Sequence, residues 1–205
     1  MDGCTPWDID EAMVDFGYAM GPYEAQDLSG LDIAYANRRR QDDTRDPARR
    51  YIPIADHLVK AGRLGRKTGA GWYRYTANGS KDIDPVIEAI IKETSTSAAI
   101  NRRTFTPSDI QKRLVLAMIN EAADILYYGI AATATEIDLV TVHGYGFPRW
   151  RGGLLHYADQ IGADRVLAML RMFAAEDPLV WLPSPVIINC AETKISLADW
   201  RAQKQ

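Results

Sequence analysis

The feature that most limits what this chain can fold into is an internal repeat, because a sequence that copies itself must build copies of one supersecondary unit. Thr5-Pro6-Trp7-Asp8-Ile9-Asp10 returns 128 residues later as Thr133-Ala134-Thr135-Glu136-Ile137-Asp138. Gly17-Tyr18-Ala19-Met20-Gly21-Pro22 is answered by Gly144-Tyr145-Gly146-Phe147-Pro148. Asp27-Leu28-Ser29-Gly30-Leu31-Asp32 is answered by Asp159-Gln160-Ile161-Gly162-Ala163-Asp164. The order is kept and small insertions shift the register. Two related units follow, residues 1–95 and 96–205, divided at the polar, loop-like stretch Thr94-Ser95-Thr96-Ser97. The second unit has a long amphipathic segment, Ile110 to Tyr128, ahead of its capped start, whereas the matching segment of the first would lie before Met1. The chain is therefore expected to begin inside its first unit, without that unit's first helix.

Local signals make both units helical. Thr5-Pro6-Trp7-Asp8 supplies a hydroxyl cap, a proline at the first helical position and a carboxylate three residues after the cap, and Thr106-Pro107-Ser108-Asp109 repeats the set. Ile110, Leu114, Met118, Ala122 and Leu126 then recur every four residues, giving one apolar stripe on a helix that ends near Gly129. Asp84-Pro85 opens another helix, and a further one runs from about Asp164 through Val166, Leu167, Leu170 and Phe173. Period-two alternation is confined to Ala70–Tyr75 and Pro185–Ile188, both too short for a sheet. The expected fold class is all-α.

Composition removes several functions. At 205 residues and 47% hydrophobic content the chain can bury a core for one domain or two small ones. A formal net charge of −3 gives no chain-wide basic field, so neither nucleic acid nor an anionic membrane is an expected partner. No stretch approaches the ~18 apolar residues of a membrane span. Two distant cysteines, Cys4 and Cys190, read as small apolar residues in a reducing compartment.

With these elements in place a family resemblance can be named. Asp15-Phe16-Gly17-Tyr18-Ala19-Met20-Gly21-Pro22-Tyr23-Glu24, the Asp27–Asp32 turn and Gly65-Arg66-Lys67-Thr68-Gly69-Ala70-Gly71-Trp72-Tyr73-Arg74-Tyr75 together resemble the C-terminal helical domain of 3-hydroxyacyl-CoA dehydrogenases. Val142-His143-Gly144-Tyr145-Gly146-Phe147-Pro148-Arg149-Trp150-Arg151-Gly152-Gly153 resembles the duplicated domain of the multifunctional β-oxidation enzymes. The resemblance implies two tandem units like the C-terminal domain of 6-phosphogluconate dehydrogenase, packed as a pseudo-dimer. It implies an upstream nucleotide-binding domain holding NAD and a histidine–glutamate pair, and a hydratase domain on the same polypeptide. Acyl-CoA is the implied substrate, and a homo-oligomer or a thiolase complex the further implied partner. The compartment implied is the cytoplasm for a bacterial parent and the peroxisome for a eukaryotic one.

No catalytic, cofactor or metal residue is assigned within the chain itself. Gly69-Ala70-Gly71 and Gly144-Tyr145-Gly146 each place arginine where a dinucleotide fingerprint needs its third glycine, and neither follows a credible strand. His57, His143 and His156 are read as structural, and no cluster has metal-ligand spacing. Met20, Gly21, Pro22 and Tyr23 are the substrate-cleft candidates, since the family turns that loop toward the cleft and a methionine adapts to a variable acyl chain. Arg149, Trp150 and Arg151 are the interface candidates, an exposed aromatic between arginines being a usual anchor. The contrasting reading, from another class, is a free-standing helical interaction module without enzymatic activity.

Overall fold

Five helices among the described residues begin where the side chain just before them meets the orphan N–H groups of the first turn. α1 (Pro6–Phe16) opens on a reciprocal pair: Asp8 N–H donates to the Thr5 hydroxyl at 3.3 Å, and Thr5 N–H to the Asp8 carboxylate at 2.8 Å. α6 (Pro107–Tyr127) repeats this with Thr106 and Asp109. α7 (Ala134–Gly144) uses Thr133 and Glu136, α5 (Pro85–Ser97) uses Asp84, and α10 (Pro185–Thr193) uses Ser184.

The structure, a computed structural model, describes residues 1–201. They form two units. The first is Met1–Asp15 with Ala19–Ile110, and the second is Phe16–Tyr18 with the chain from Gln111 onward. In the first, α2 (Pro22–Ser29), α3 (Leu31–Arg40), α4 (Ile54–Lys60) and α5 surround a core of Leu31, Ile54, Leu58, Trp72, Ile87 and Ile91. β1 (Arg74–Tyr75) and β2 (Lys81–Asp82) form an antiparallel ribbon with Arg74 opposite Asp82 and Tyr75 opposite Lys81. In the second unit α8 (Leu154–Ile161) packs on α7 and on α9 (Ala163–Ala174), and α10 lies against α9. Its most deeply buried side chains include Ile119, Leu155, Val166, Leu170, Val186 and Ile187. The all-α expectation holds among the described residues, the two-residue ribbon being their only sheet.

The repeat is visible in backbone geometry. Gly30 joins α2 to α3 at φ 100°, ψ 124°, and Gly162 joins α8 to α9 at φ 94°, ψ 131°. Both angles fall where glycine is the default residue, which is why the Asp-x-x-Gly-x-Asp turn keeps its glycine in each copy.

Four details correct the sequence reading. Thr94–Ser97 is the last turn of α5, not a loop: Thr94, Ser95 and Thr96 return their hydroxyls to the carbonyls of Ile90, Ile91 and Lys92 and stay helical. The compact units described above are bounded in the chain at Ile110/Gln111. Just after α5, Arg102 donates to the carbonyls of Met1 and Gly3, and Arg103 N–H to that of Asp2, tying this segment to the chain's first residues. Second, Leu114 and Met118 are only half-buried, whereas Val115, Leu116, Ile119 and Ala123 are buried. A helix turns 3.6 residues per turn, so a strict period of four drifts about 40° per step, and the series passes the flank of the core face at Leu114 and Met118 before it is buried at Ala122 and Leu126. Third, Pro185–Ile188 is helical, started by the Ser184-Pro185 cap. Fourth, α8 opens at Gly153 and α2 at Gly21, so the partner of Gly21-Pro22 is Gly153-Leu154 rather than Gly146 to Pro148. The second copy inserts a 3-10 turn, Arg149–Arg151, in that connection.

Candidate functional site

The loop that the sequence singled out rests on a buried carboxylate. Asp10, on the inner face of α1 and 3% exposed, accepts from Tyr23 N–H at 2.7 Å, Glu24 N–H at 2.9 Å and the Tyr73 hydroxyl at 2.8 Å. It thus caps α2 from a different element, putting negative charge at the positive end of that helix. Gly21 is glycine for this reason: a Cβ there would stand 2.2 Å from Asp10 Cβ and Cγ. Pro22 follows at the helix start, where its missing N–H costs nothing. Met20 is half-buried, and the Tyr23 ring meets Trp72 edge to face at 4.6 Å. Burial and the neighbouring Asp10 push the Tyr23 phenol up to about 12.

A second carboxylate holds the other side. Asp27, at the end of α2 and 1% exposed, accepts from Trp72 N–H at 2.9 Å, Tyr73 N–H at 3.0 Å and the Tyr75 hydroxyl at 3.0 Å. Tyr73 therefore ties the two carboxylates, its amide to Asp27 and its hydroxyl to Asp10. Above them Glu24 takes ion pairs from Lys81 at 2.5 Å and from Arg66 at 3.5 Å. Burial raises the carboxyls of Asp10 and Asp27, while their hydrogen bonds pull them back down. With its donors already in place, each is a structural post rather than a free base.

The second unit repeats both posts. Asp138 accepts from Leu155 N–H at 2.7 Å and from His156 N–H at the start of α8, and Gly153 lies against it as Gly21 lies against Asp10. Asp159 accepts from Leu197 N–H at 2.6 Å and Ala198 N–H at 3.1 Å. Sequence reading found the motif that contains these aspartates but gave them no role. The signal was there, since an acid kept in both copies while its neighbours change points to a backbone contact.

The interface candidates divide. Arg149 and Trp150 face solvent, Trp150 at 71% exposure. Arg151 turns inward: its Nε donates to the Phe16 carbonyl at 3.1 Å, and its guanidinium lies 3.9 Å from the Phe16 ring, 4.0 Å from Trp150 and 4.9 Å from Tyr157. Its cation–π contacts pin the Phe16–Tyr18 segment within the second unit.

The three histidines are exposed, on α4, α7 and α8. The acids beside two of them serve other donors. Asp56, next to His57, takes Arg38, Arg39 and the Tyr51 hydroxyl, and Asp159, near His156, takes two backbone amides.

Neither glycine-rich turn has the shape of a dinucleotide fingerprint. The Gly69-Ala70-Gly71 turn folds onto Asp27, whose Oδ1 lies 2.0 Å from where a Gly71 Cβ would be, so a carboxylate occupies the place a pyrophosphate would need. In Gly144-Tyr145-Gly146 the first glycine closes a helix instead of opening one.

The described residues thus form two helical units, each with its turns clamped by saturated carboxylates. The fold has solved counterparts: the dehydrogenase part of multifunctional enzyme 1 from C. elegans matches 91% of this chain and 42% of its own length, at TM-score 0.70 and 23% identity. 3-Hydroxybutyryl-CoA dehydrogenase from Escherichia coli matches 93% of this chain and 55% of its own, at TM-score 0.69 and 20% identity. The family model for the C-terminal domain of 3-hydroxyacyl-CoA dehydrogenase matches residues 1–75 and 110–193, so the chain belongs to that family through this domain. Among curated relatives, the peroxisomal bifunctional enzyme of Danio rerio is 38% identical over 201 residues, 91% of this chain and 28% of the relative. That of Cavia porcellus is 40% identical over 190 residues, 86% of this chain and 26% of the relative. The fatty acid oxidation complex subunit alpha of a Psychrobacter strain is 32% identical over 180 residues, 81% of this chain and 24% of the relative. The chain spans about a quarter of the length of these relatives.

Proposed function

We propose that this chain is the C-terminal helical part of an NAD-dependent enzyme that oxidises 3-hydroxyacyl-CoA to 3-ketoacyl-CoA in fatty-acid β-oxidation. The observation that carries the reading is the family match over both units, supported by relatives named as bifunctional enzymes and as an oxidation-complex subunit. The two tandem C-terminal units, which the sequence reading divides at 95/96, supply packing and closure, and Met20 to Tyr23 form part of the wall against the acyl chain. In that wall Met20 is the adaptable contact. Gly21, Pro22 and Tyr23 are its rigid base, because Asp10 holds Tyr23 N–H and closes on Gly21.

NAD is held by the nucleotide-binding domain that this reading assigns to the same polypeptide, and supplies hydride acceptance there. The partners in this reading are nucleotide-binding and hydratase domains of the same polypeptide, with Arg149 and Trp150 as contact residues and Arg151 as their support. A homo-oligomer or a thiolase complex is the assembly. The compartment is the cytoplasm in a bacterial parent and the peroxisome in a eukaryotic one. Among the described residues no helix is long and apolar enough to cross a membrane.

The test is NADH formation from 3-hydroxyacyl-CoA substrates of graded length by the complete gene product, with and without Met20→Ala. The expected result is turnover by the unaltered protein, and a KM that rises for long chains in the variant while kcat holds. No NADH from any substrate overturns the activity. Unaltered KM at every length overturns the wall.

A further inference from the structure

The turn between β1 and β2 carries a reactive pair that the dehydrogenase reading does not use. Asn78 and Gly79 are both exposed, and Gly79 stands at φ +84° with nothing within 4 Å of where a Cβ would be. Ser80 donates to Asn78 Oδ1 from its N–H at 3.3 Å and from its hydroxyl at 3.1 Å, and the Thr76 hydroxyl meets the same oxygen. The two hydroxyls lie 2.6 Å apart and share one hydrogen, so two polar hydrogens, the Ser80 N–H and one hydroxyl, converge on one amide carbonyl, the arrangement that stabilises negative charge developing on an oxygen under attack.

We propose that Asn78–Gly79 is a self-modifying site at which the asparagine side chain is lost as ammonia and the turn is rebuilt as aspartate or isoaspartate. The Gly79 amide nitrogen gives its proton to solvent base and attacks Asn78 Cγ. The N–Cγ bond forms, and the electron pair moves to Oδ1 under the Thr76 and Ser80 donors. Collapse of that oxyanion breaks Cγ–Nδ2, ammonia leaves with a proton from solvent, and a five-membered imide remains. Water then adds to either imide carbonyl and opens the ring, giving an aspartyl or an isoaspartyl link. No oxidant or reductant is involved, and water is the one co-reactant.

Gly79 N–H donates to the Thr76 carbonyl at 2.9 Å, so that one hydrogen bond must break before attack, while the β1–β2 pairing keeps Thr76 and Ser80 beside Asn78. Losing a single exposed turn bond is a small local opening. Glycine is the residue that makes attack feasible, having no side chain to block the nitrogen and access to the backbone angles the ring requires. Asn37, Asn120 and Asn189 lie within α3, α6 and α10, where the helix fixes the next nitrogen. Asn101 is exposed outside any helix but is followed by Arg102, which makes it the internal control. The consequence reaches the Asp27 post. An isoaspartyl link lengthens the main chain by one atom and shifts the Tyr75–Lys81 register, and with it the Tyr75 hydroxyl on Asp27 and the Lys81 pair on Glu24.

The experiment incubates the complete protein at mildly alkaline pH. Mass spectrometry then follows the tryptic peptide Tyr75–Lys81 and the peptides bearing the other asparagines, and enzymatic methylation reports isoaspartate. Conversion is expected at Asn78 at least about tenfold faster than at Asn101, and about tenfold slower in the Thr76→Val, Ser80→Ala double variant, the loss of hydrogen bonds worth a decade of rate. The same substitutions in the free peptide, which has no hairpin to position the donors, are expected to leave its rate unaltered. Equal rates at Asn78 and Asn101 overturn the site. Equal effects of the substitutions in peptide and protein, or none in the protein, overturn the activation by Thr76 and Ser80.

Discussion

Replacing Asp27 with alanine is the sharpest probe of the post-and-clamp scheme. It removes the acceptor of two buried backbone amides, Trp72 and Tyr73, and of the Tyr75 hydroxyl. The hydroxyl is half-buried and can turn to water, but the amides sit on residues only 5% and 3% exposed and cannot. Each orphaned amide costs about 1–3 kcal/mol, giving roughly 2–6 kcal/mol in total. Relief from holding a charge that burial disfavours offsets part of this, so we expect a net loss of about 3 kcal/mol. Asp27→Asn is expected to lose about 2 kcal/mol, because its amide oxygen serves one N–H while its NH2 opposes the other. The matching change in the second unit, Asp159→Ala, frees two amides at a site water reaches more easily, and is expected to cost about 1–2 kcal/mol. A chain of two units need not unfold in one step, so the assay is native-state hydrogen exchange read at individual amides. Protection at Trp72 and Tyr73 should fall about a hundredfold in Asp27→Ala, with the second unit unaffected. Unchanged protection there, or a loss below about 1 kcal/mol, would refute the claim that Asp27 holds the turn.

Three further outcomes are expected. Gly21→Ala should destabilise the first unit by about 1–3 kcal/mol, since the new methyl meets Asp10 Cβ and Cγ at 2.2 Å; a melting temperature equal to the parent's would count against the close approach. Acid titration should be flat or slightly stabilising as pH falls from neutral to about 4, and destabilising below it. Burial raises Asp10, Asp27 and Asp138, so they take up protons more readily folded than unfolded and regain stability as pH falls through their folded values. For Asp56 and Asp84 burial is outweighed by Tyr51, Arg38, Arg39 and Arg63 and by the Val86 amide, so their contribution is present above the unfolded carboxylate value and lost as pH falls through the lower folded one. Arg63→Met should weaken that low-pH drop, and a steady decline beginning near neutrality would contradict the scheme. Arg151→Ala should cost about 1–3 kcal/mol through its ring contacts and its bond to the Phe16 carbonyl; hydrogen exchange in the second unit equal to the parent's would argue that the Phe16–Tyr18 segment is held by other means.

What the sequence determined by itself was local or periodic. Thr5, Thr106 and Thr133 start helices because a hydroxyl three residues from an orphan N–H needs no tertiary partner. The repeat announced two related units, and Gly30 and Gly162 mark the same turn in both because only glycine accepts that geometry cheaply. Tertiary structure decided what lay beyond a few residues' reach. The face of α6 that is buried follows the 3.6-residue turn and its neighbours, not a count of every fourth residue. Thr94–Ser97 remained helical because hydroxyls that look loop-forming can bond back to the preceding turn. Met20 to Tyr23 were legible as a special loop, but the residue that makes them special, Asp10, lies a helix away, and Asp27 meets its amides from 45 residues upstream. A buried charge is tolerable only where donors converge on it, and that convergence is a property of the folded chain that no window of sequence contains.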